Sequence, residues 1–415
     1  MKKKFSELTC LKLIVSISVL MSAAMFLFAC ESEKPIEQSL KPAKTAPPPK
    51  AKKTEQPIRV GVAGAYTGEL ASIGIPPRRA AEMVIRQVNA QGGIFNRKIE
   101  MIVEDDVCNQ EAAAAAASRF VEKGANMVLG HTCSGATKAA LEVYKPANVV
   151  VISASATNPD LTQGGAYPNF FRTISPDDAQ AEIQVKLILE TLKLNKIAVL
   201  HDQDDYGKGL AGFAVKFLKQ SGQAQIVLNE EIISGADDYG AVVDKIKDAE
   251  AEIVIYGGYH PEAAKIITEM RMKEMDTLFI SGDGVKSDAF IKATAWKYAE
   301  GVYVTGPRDT SDNPVAVIAI KAHKDAYDAE PGPFFLNAYA GIMALFNAVK
   351  KSGSLESDSI QKFLKRSHVE TPLGTITFDG RGDVSGYGFS LFQVKNGVFV
   401  EIRDEKKSDA GKKQD

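Results

Sequence analysis

From Ile58 onward, short apolar runs alternate with longer stretches of helical spacing, and no other feature restricts the fold as much. Strands separated by helical crossovers pair in parallel, and a parallel sheet needs helices on both faces. Ile58 to Ala63, Ile99 to Val103, Met127 to Leu129 and Val149 to Ser153 read as strands, with helices over Pro77 to Ala90, Gln110 to Glu122 and Ala136 to Tyr144. A second set follows Phe170-Phe171-Arg172-Thr173. Its helices are Asp178 to Leu192, Gly209 to Gln220, Tyr239 to Asp248 and Glu262 to Met272; its strands are Lys196 to Leu200, Ile226 to Leu228, Ile253 to Tyr256 and Leu278 to Ile280. After Thr305 the helical stretches Val315 to Tyr327 and Leu336 to Lys350 read as a return to the first lobe. A chain of 415 residues exceeds what one core supports, so the fold class expected is α/β, with two doubly wound parallel-sheet lobes.

The ends stand outside that pattern. Lys2, Lys3 and Lys4 precede an uncharged apolar run from Leu13 to Ala29 that stops at Cys30, the layout of an export signal. Leu27-Phe28-Ala29-Cys30 resembles the bacterial lipoprotein processing box, which makes residues 1–30 a signal peptide with Cys30 lipidated; an uncleaved signal anchor is the alternative. Residues 31–57 carry alternating prolines and lysines and no aromatic residue, so a disordered tether is expected there, and a disordered charged tail at 403–415. With Cys10 in the signal and Cys30 acylated, Cys108 and Cys133 remain in an oxidising compartment. Each follows a strand on the same sheet edge, so a Cys108–Cys133 disulfide is expected against the alternative of two free thiols.

Ligands of open parallel sheets sit beyond the carboxyl ends of the strands. In the first lobe, Gly130-His131-Thr132-Cys133-Ser134-Gly135 places Ser134 as a helix N-cap among free backbone N–H groups, where a carboxylate binds well; an ordinary cap explains it equally. Ser153-Ala154-Ser155-Ala156-Thr157 adds hydroxyls in the neighbouring loop, so Ser134, Ser155 and Thr157 could surround one small anion. In the second lobe, Tyr256-Gly257-Gly258-Tyr259 offers Tyr259 as a flat lid. In Ser281-Gly282-Asp283-Gly284, Asp283 could hold an ammonium or simply cap a helix.

At these loops the chain resembles the leucine/isoleucine/valine-binding proteins of branched-chain amino-acid ABC importers. The resemblance rests on the succession Gly92-Gly93-Ile94, Asp105-Asp106-Val107-Cys108, Gly130-His131-Thr132-Cys133-Ser134, Ala156-Thr157-Asn158-Pro159, His201-Asp202-Gln203-Asp204-Asp205-Tyr206-Gly207 and Tyr256-Gly257-Gly258-Tyr259-His260-Pro261-Glu262, within Ile58 to Ile402. It implies a periplasmic-binding-protein type I bilobe with a hinge crossed three times. The N-terminal lobe would span 58–174 and 306–384, and the C-terminal lobe 175–305 and 385–402. It also implies α-carboxylate contacts at Ser134 and Thr157, a backbone carbonyl at Ser155 for the α-amino group, and Ala156 in the same ligand loop. Tyr206 and Tyr259 match aromatic pocket residues and Phe334 a side-chain contact. Asp283 stands where the family commonly has glutamate, and Ile73 where it usually has an aromatic residue over the ligand. The function implied is a lipid-anchored, extracytoplasmic receptor, working as a monomer with membrane permease subunits. It would capture an α-amino acid of branched-chain or similar aliphatic type by hinge closure.

Other classes fit less well. A formal charge of −2 gives no broad basic surface for nucleic acid. No full dinucleotide-binding glycine fingerprint, nucleophile elbow or phosphate loop is present, and the five histidines show no metal-ligand pairing, so neither catalysis, metal nor cofactor is expected. Receptors for urea, amides or aromatic acids on the same fold, or a sensory receptor, remain the alternatives. Asp283 discriminates, because a ligand without an ammonium would leave its carboxylate desolvated and unpaired.

Overall fold

The computed structural model describes residues 56–402. The signal peptide with Cys30, nearly all of the tether and the tail lie outside them. The first half runs β1 (Ile58–Gly64), α1 (Ala71–Ala90), β2 (Ile99–Asp105), α2 (Gln110–Glu122), β3 (Met127–Leu129), α3 (Ser134–Tyr144), β4 (Val150–Ser153), α4 (Asp160–Gln163) and β5 (Phe170–Arg172). Then come α5 (Asp177–Lys186), β6 (Lys196–His201), α6 (Asp205–Ser221), β7 (Gln225–Glu231), α7 (Gly240–Asp248), β8 (Ile253–Gly257), α8 (His260–Met272), β9 (Leu278–Ser281), α9 (Asp288–Ala293) and β10 (Tyr303–Pro307). The last part holds α10 (Pro314–Tyr327), α11 (Phe335–Ser352), α12 (Ser357–Leu364), β11 (Val369–Thr371), β12 (Gly374–Phe378), β13 (Val384–Ser385), β14 (Phe389–Lys395) and β15 (Val398–Ile402).

Two main sheets result. The first has the order β2-β1-β3-β4-β5 with every pair parallel. Its two faces are covered by separate apolar clusters, one built with α1, α11 and α12, the other with α2 and α3. The second has the order β15-β14-β10-β9-β8-β6-β7; α7, α8 and α9 cover one face, and α5 and α6 the other. The fold is thus the expected two-lobed α/β architecture. β14 and β15 add an antiparallel edge to the second sheet, and β11 to β13 form a small antiparallel sheet of their own.

Several boundaries differ from those read off the sequence, each for a physical reason. α1 begins at Ala71, not Pro77, and takes Pro76 and Pro77 into its body. Two prolines forfeit two backbone hydrogen bonds; burial of Ile73, Gly74 and both proline rings offsets the loss. Phe170–Arg172 is a fifth strand, since its fully buried residues pair with Val151 to Ser153. α5 runs on into a π-helical turn over Leu187–Thr191 rather than continuing as one α-helix to Leu192.

The chain passes between the sheets three times: after Arg172, after Pro307 and after Ser385. These crossings are hydrogen-bonded side by side. Ser175 Oγ donates to Tyr387 O (3.0 Å), Tyr387 OH to Arg308 O (2.8 Å), and Arg308 N to Gly388 O (3.1 Å). Beneath them the fully buried Arg172 pairs with Asp383 at 2.6 Å and donates to the carbonyls of Ala156 and Asn158. Thr173 and Asn337 exchange two bonds, of 2.8 and 2.7 Å. The expected disulfide is present: Cys108 and Cys133 are joined, with Cα atoms 5.4 Å apart.

Candidate functional site

The site is assembled at the carboxyl ends of the strands, as open parallel sheets require. After β3, the first-lobe loop enters α3. Cys133, extended at φ −92° and ψ 146° and held by its disulfide, occupies the N-cap position, so Ser134 is the first helical residue and not the cap expected from sequence. The Ser134 hydroxyl accepts the Asn158 N–H at 3.2 Å and keeps its own proton to donate. Ser155 Oγ donates to Thr132 O (2.7 Å) and Ser153 Oγ to His131 O (2.7 Å), which ties the β3 and β4 loops together. Ala156 donates its N–H to Ser153 Oγ at 3.0 Å. His131 is buried between Asp106 (2.6 Å) and the Tyr144 hydroxyl (3.0 Å), a structural support for this loop.

The second lobe contributes two carboxylates. Asp283, in the turn after β9, accepts from Gln180 Nε2 at 2.9 Å and from the Tyr206 hydroxyl at 2.8 Å, both through Oδ1. The same Gln180 nitrogen donates to Asp177 Oδ1 at 2.8 Å, while Gln180 Oε1 accepts from Asp283 N and Thr305 Oγ1. Asp177 opens α5, and its N–H donates to Thr157 O at 3.0 Å, which ties this pair to the first lobe. Both carboxylates are almost wholly buried, and each keeps Oδ2 without a hydrogen-bond partner. Thr157 Oγ1 also lacks one; it lies near enough to Asp177 to favour the ionised form without reaching hydrogen-bond geometry.

Burial dominates the electrostatics. It pushes Asp283 up to about 6 against the opposing Gln180 and Tyr206 bonds. Asp177 is pushed well above the usual carboxylate range, first by burial and then by the Asp283 charge beside it. Two desolvated acids sharing one amide donor have the chemistry that a cation carrying N–H groups satisfies. Glycine makes the packing possible: a side chain at Gly282 would collide with the Tyr206 hydroxyl that Asp283 needs.

Polar contacts join the two lobes across the cleft. Lys138 pairs with Asp205 at 3.0 Å, Asn158 Nδ2 donates to Asp205 O, and Ser72 Oγ lies 3.4 Å from both His260 Nε2 and Ser287 Oγ. Tyr259 packs against apolar clusters of both lobes, with its ring 5.1 Å from that of Tyr206. A cavity of about 670 Å³ lies between the lobes, lined by Ser72 and Phe334 from one side and Asp283, Lys286 and Ser287 from the other. Phe334 holds a left-handed conformation (φ 60°) at the start of α11. Ile73 is not on that wall. It is 1% exposed and packed in the first-lobe core, because α1 turns Ser72 toward the cleft instead.

Tyr206, Tyr259 and Asp283 are therefore brought together; Ser155, Ala156, Thr157 and Ser134 form the adjoining loops, and Phe334 lines the cavity. Sequence reasoning missed Asp177 and Gln180. The signal was in α5: Asp177, Gln180, Ala181 and Gln184 recur at helical spacing and are all buried, so the inward stripe of this helix is polar. Among the described residues no group of side chains is placed to hold a metal ion.

Comparison with known proteins bears on the family and the fold. The leucine-, isoleucine-, valine-, threonine- and alanine-binding protein of Pseudomonas aeruginosa is 33% identical over 347 residues, covering 83% of this chain and 92% of that protein. The leucine-specific-binding protein of Salmonella typhimurium is 34% identical over 336 residues, covering 81% and 90%. Among solved structures, a leucine-binding protein from Thermotoga maritima shares the fold with a TM-score of 0.77 at 22% identity, over 83% of this chain and 98% of that one. A branched-chain amino-acid transporter substrate-binding protein from Streptococcus pneumoniae, in complex with isoleucine, has a TM-score of 0.74 at 26% identity, over 83% and 100%. The periplasmic binding protein family model matches residues 57–398. With nearly the whole described chain matched, this protein belongs to the periplasmic binding protein family.

Proposed function

We propose that the chain is the solute receptor of an ABC importer and captures an α-amino acid between its lobes, releasing it unchanged to membrane permease subunits. The observation that carries this reading is the Asp177–Gln180–Asp283 arrangement. Two buried carboxylates each keep one oxygen unpartnered, and an α-ammonium supplies the charge and N–H donors that would satisfy both. The Ser155 carbonyl would assist the ammonium. The Ser134 hydroxyl, the Thr157 hydroxyl and the backbone around Ala156 would receive the α-carboxylate, with Tyr206, Tyr259 and Phe334 as walls. Leucine, isoleucine, valine, threonine and alanine, which the Pseudomonas aeruginosa relative binds, form the reference set for side-chain preference.

The three side-by-side crossings support a hinge, and the bonds of Ser72, Lys138 and Asn158 to the other lobe describe its closed state. Export, a lipid on Cys30 and action as a monomer belong to the same proposal. A thermal-shift titration of full-length protein, unfolded and refolded to strip ligand, tests it. An amino acid present at about a hundred times its Kd should add roughly 2.7 kcal/mol and raise the midpoint. A deaminated acid of the same carbon skeleton should not. Stabilisation by urea or a simple amide, and by no amino acid, would overturn the reading.

A further inference from the structure

The cavity that reaches Asp283 carries a cation that the binding of an α-amino group does not use. Lys286 follows Asp283 in the same turn, its N–H donating to Asp283 O at 3.2 Å. Its stem lies flat on the backbone of Gly306 in β10, so closely that a Cβ there would collide with the Lys286 Cδ. Its ammonium rests 4.2 Å from the centre of the Phe392 ring in β14. The lysine is thus seated on rigid strands and half-buried, and it lines the cavity.

Its donors are unspent. Among the described residues the Lys286 ammonium makes no hydrogen bond and no ion pair; Asp309, Glu401, Asp288 and Asp283 act on it only through space. The acids that share the cavity wall are engaged elsewhere or face outward. Asp309 accepts the Ser311 N–H at 2.9 Å, Glu330 pairs with Lys324 at 2.6 Å, and Asp288 is exposed. The inner wall therefore presents an anion at Asp283 and, one turn away, a cation with free N–H groups. Its volume of about 670 Å³ is within the roughly 300–1,000 Å³ range of sites for ligands far larger than an isobutyl group. A purely aliphatic side chain would bury that ammonium against hydrocarbon and return no hydrogen bond.

We infer that Lys286 is a specificity-determining residue, selecting α-amino acids whose side chain ends in a carbonyl-type acceptor, a carboxylate or carboxamide, over aliphatic ones. This deepens the amino-acid reading of the same cleft and rests on it. Glutamate and glutamine represent the two acceptor types, and leucine the aliphatic one.

The test is calorimetric titration of the full chain and of Lys286→Met and Lys286→Gln with these three ligands. Methionine keeps a long apolar stem over Gly306 and Phe392. Glutamine keeps a neutral donor, so a folding defect in one variant does not remove the measurement. The wild type is expected to bind glutamate or glutamine at least about tenfold more tightly than leucine, the worth of one hydrogen bond to a charged group. Lys286→Met should lose that preference while leucine binding stays or improves, and Lys286→Gln should fall between. A wild-type preference for leucine that Lys286→Met leaves unchanged overturns the inference and leaves the amino-acid site standing. Equal weakening of all three ligands places Lys286 on the α-carboxylate and also overturns it. Failure of every α-amino acid to bind the wild type refutes the site reading beneath it as well.

Discussion

Replacing Asp283 by asparagine should move stability and binding in opposite directions. Asparagine is nearly isosteric, and its Oδ1 can keep accepting from Gln180 and Tyr206, so the lattice of hydrogen bonds in the second lobe survives. What is removed is a charge. In the folded protein Asp283 is pushed up to about 6 from 3.8, chiefly by burial. A raised carboxylate pKa means that the folded state holds its proton more tightly than the unfolded chain. Relative stability from this group is present below about pH 4 and is lost as pH rises through 6. At neutral pH the penalty is about two pKa units at about 1.4 kcal/mol each, roughly 3 kcal/mol. The ligand-free Asp283→Asn protein should therefore melt several degrees above wild type at pH 7.5, and the difference should vanish near pH 4. Its affinity for an α-amino acid should fall by at least about tenfold, because a charge-assisted bond contributes roughly 1.5–3 kcal/mol. Differential scanning calorimetry across pH and titration calorimetry give the two numbers. A variant that is less stable at pH 7.5 yet binds normally would refute both the strain assigned to Asp283 and its place against the ammonium.

The same charge predicts a pH profile for the wild type: affinity for α-amino acids should decline as pH drops through about 6, where Asp283 takes up its proton, and titrations between pH 5 and 8 check the sign. Cys133→Ser should lower stability by about 3 kcal/mol on the chain-entropy account of a 25-residue separation, read by urea denaturation. Arg172→Met leaves Asp383 without its cation and frees the carbonyls of Ala156 and Asn158, so a loss of roughly 3–5 kcal/mol is expected by the same assay. Asp205→Ala removes the carboxylate that Lys138 and Gln110 reach across the cleft. A larger radius of gyration without ligand, restored by ligand, is the expected result in small-angle scattering.

Much of the architecture was legible because periodicity is local. Apolar strands such as Ile253–Gly257, buried on both faces, and the alanine-rich α2, capped by Asn109, announce themselves in a few residues and imply a parallel sheet between helical layers. Strand ends then point to loops, and the loops to Ser155, Thr157, Tyr259 and Asp283, while Tyr206 came from the family resemblance. The short strands after Thr305 were not legible: β11 to β13 span only two to five residues each, too few for a period to stand out, although their pairings join positions only three to eight apart.

Local pattern also determined which residues could bear charge at the cleft, since a carboxylate at Asp283 follows its strand whatever the rest of the chain does. Only the tertiary structure decided what that charge faces. Folding carried Asp177 from the first crossing to the other side of one Gln180 amide, sent Ile73 into the core while Ser72 reached the cleft, and laid Lys286 on Gly306 and Phe392. These partners lie up to 106 positions apart in sequence, as Asp177 and Asp283 do, and the burial that shifts their charges exists only in the folded chain.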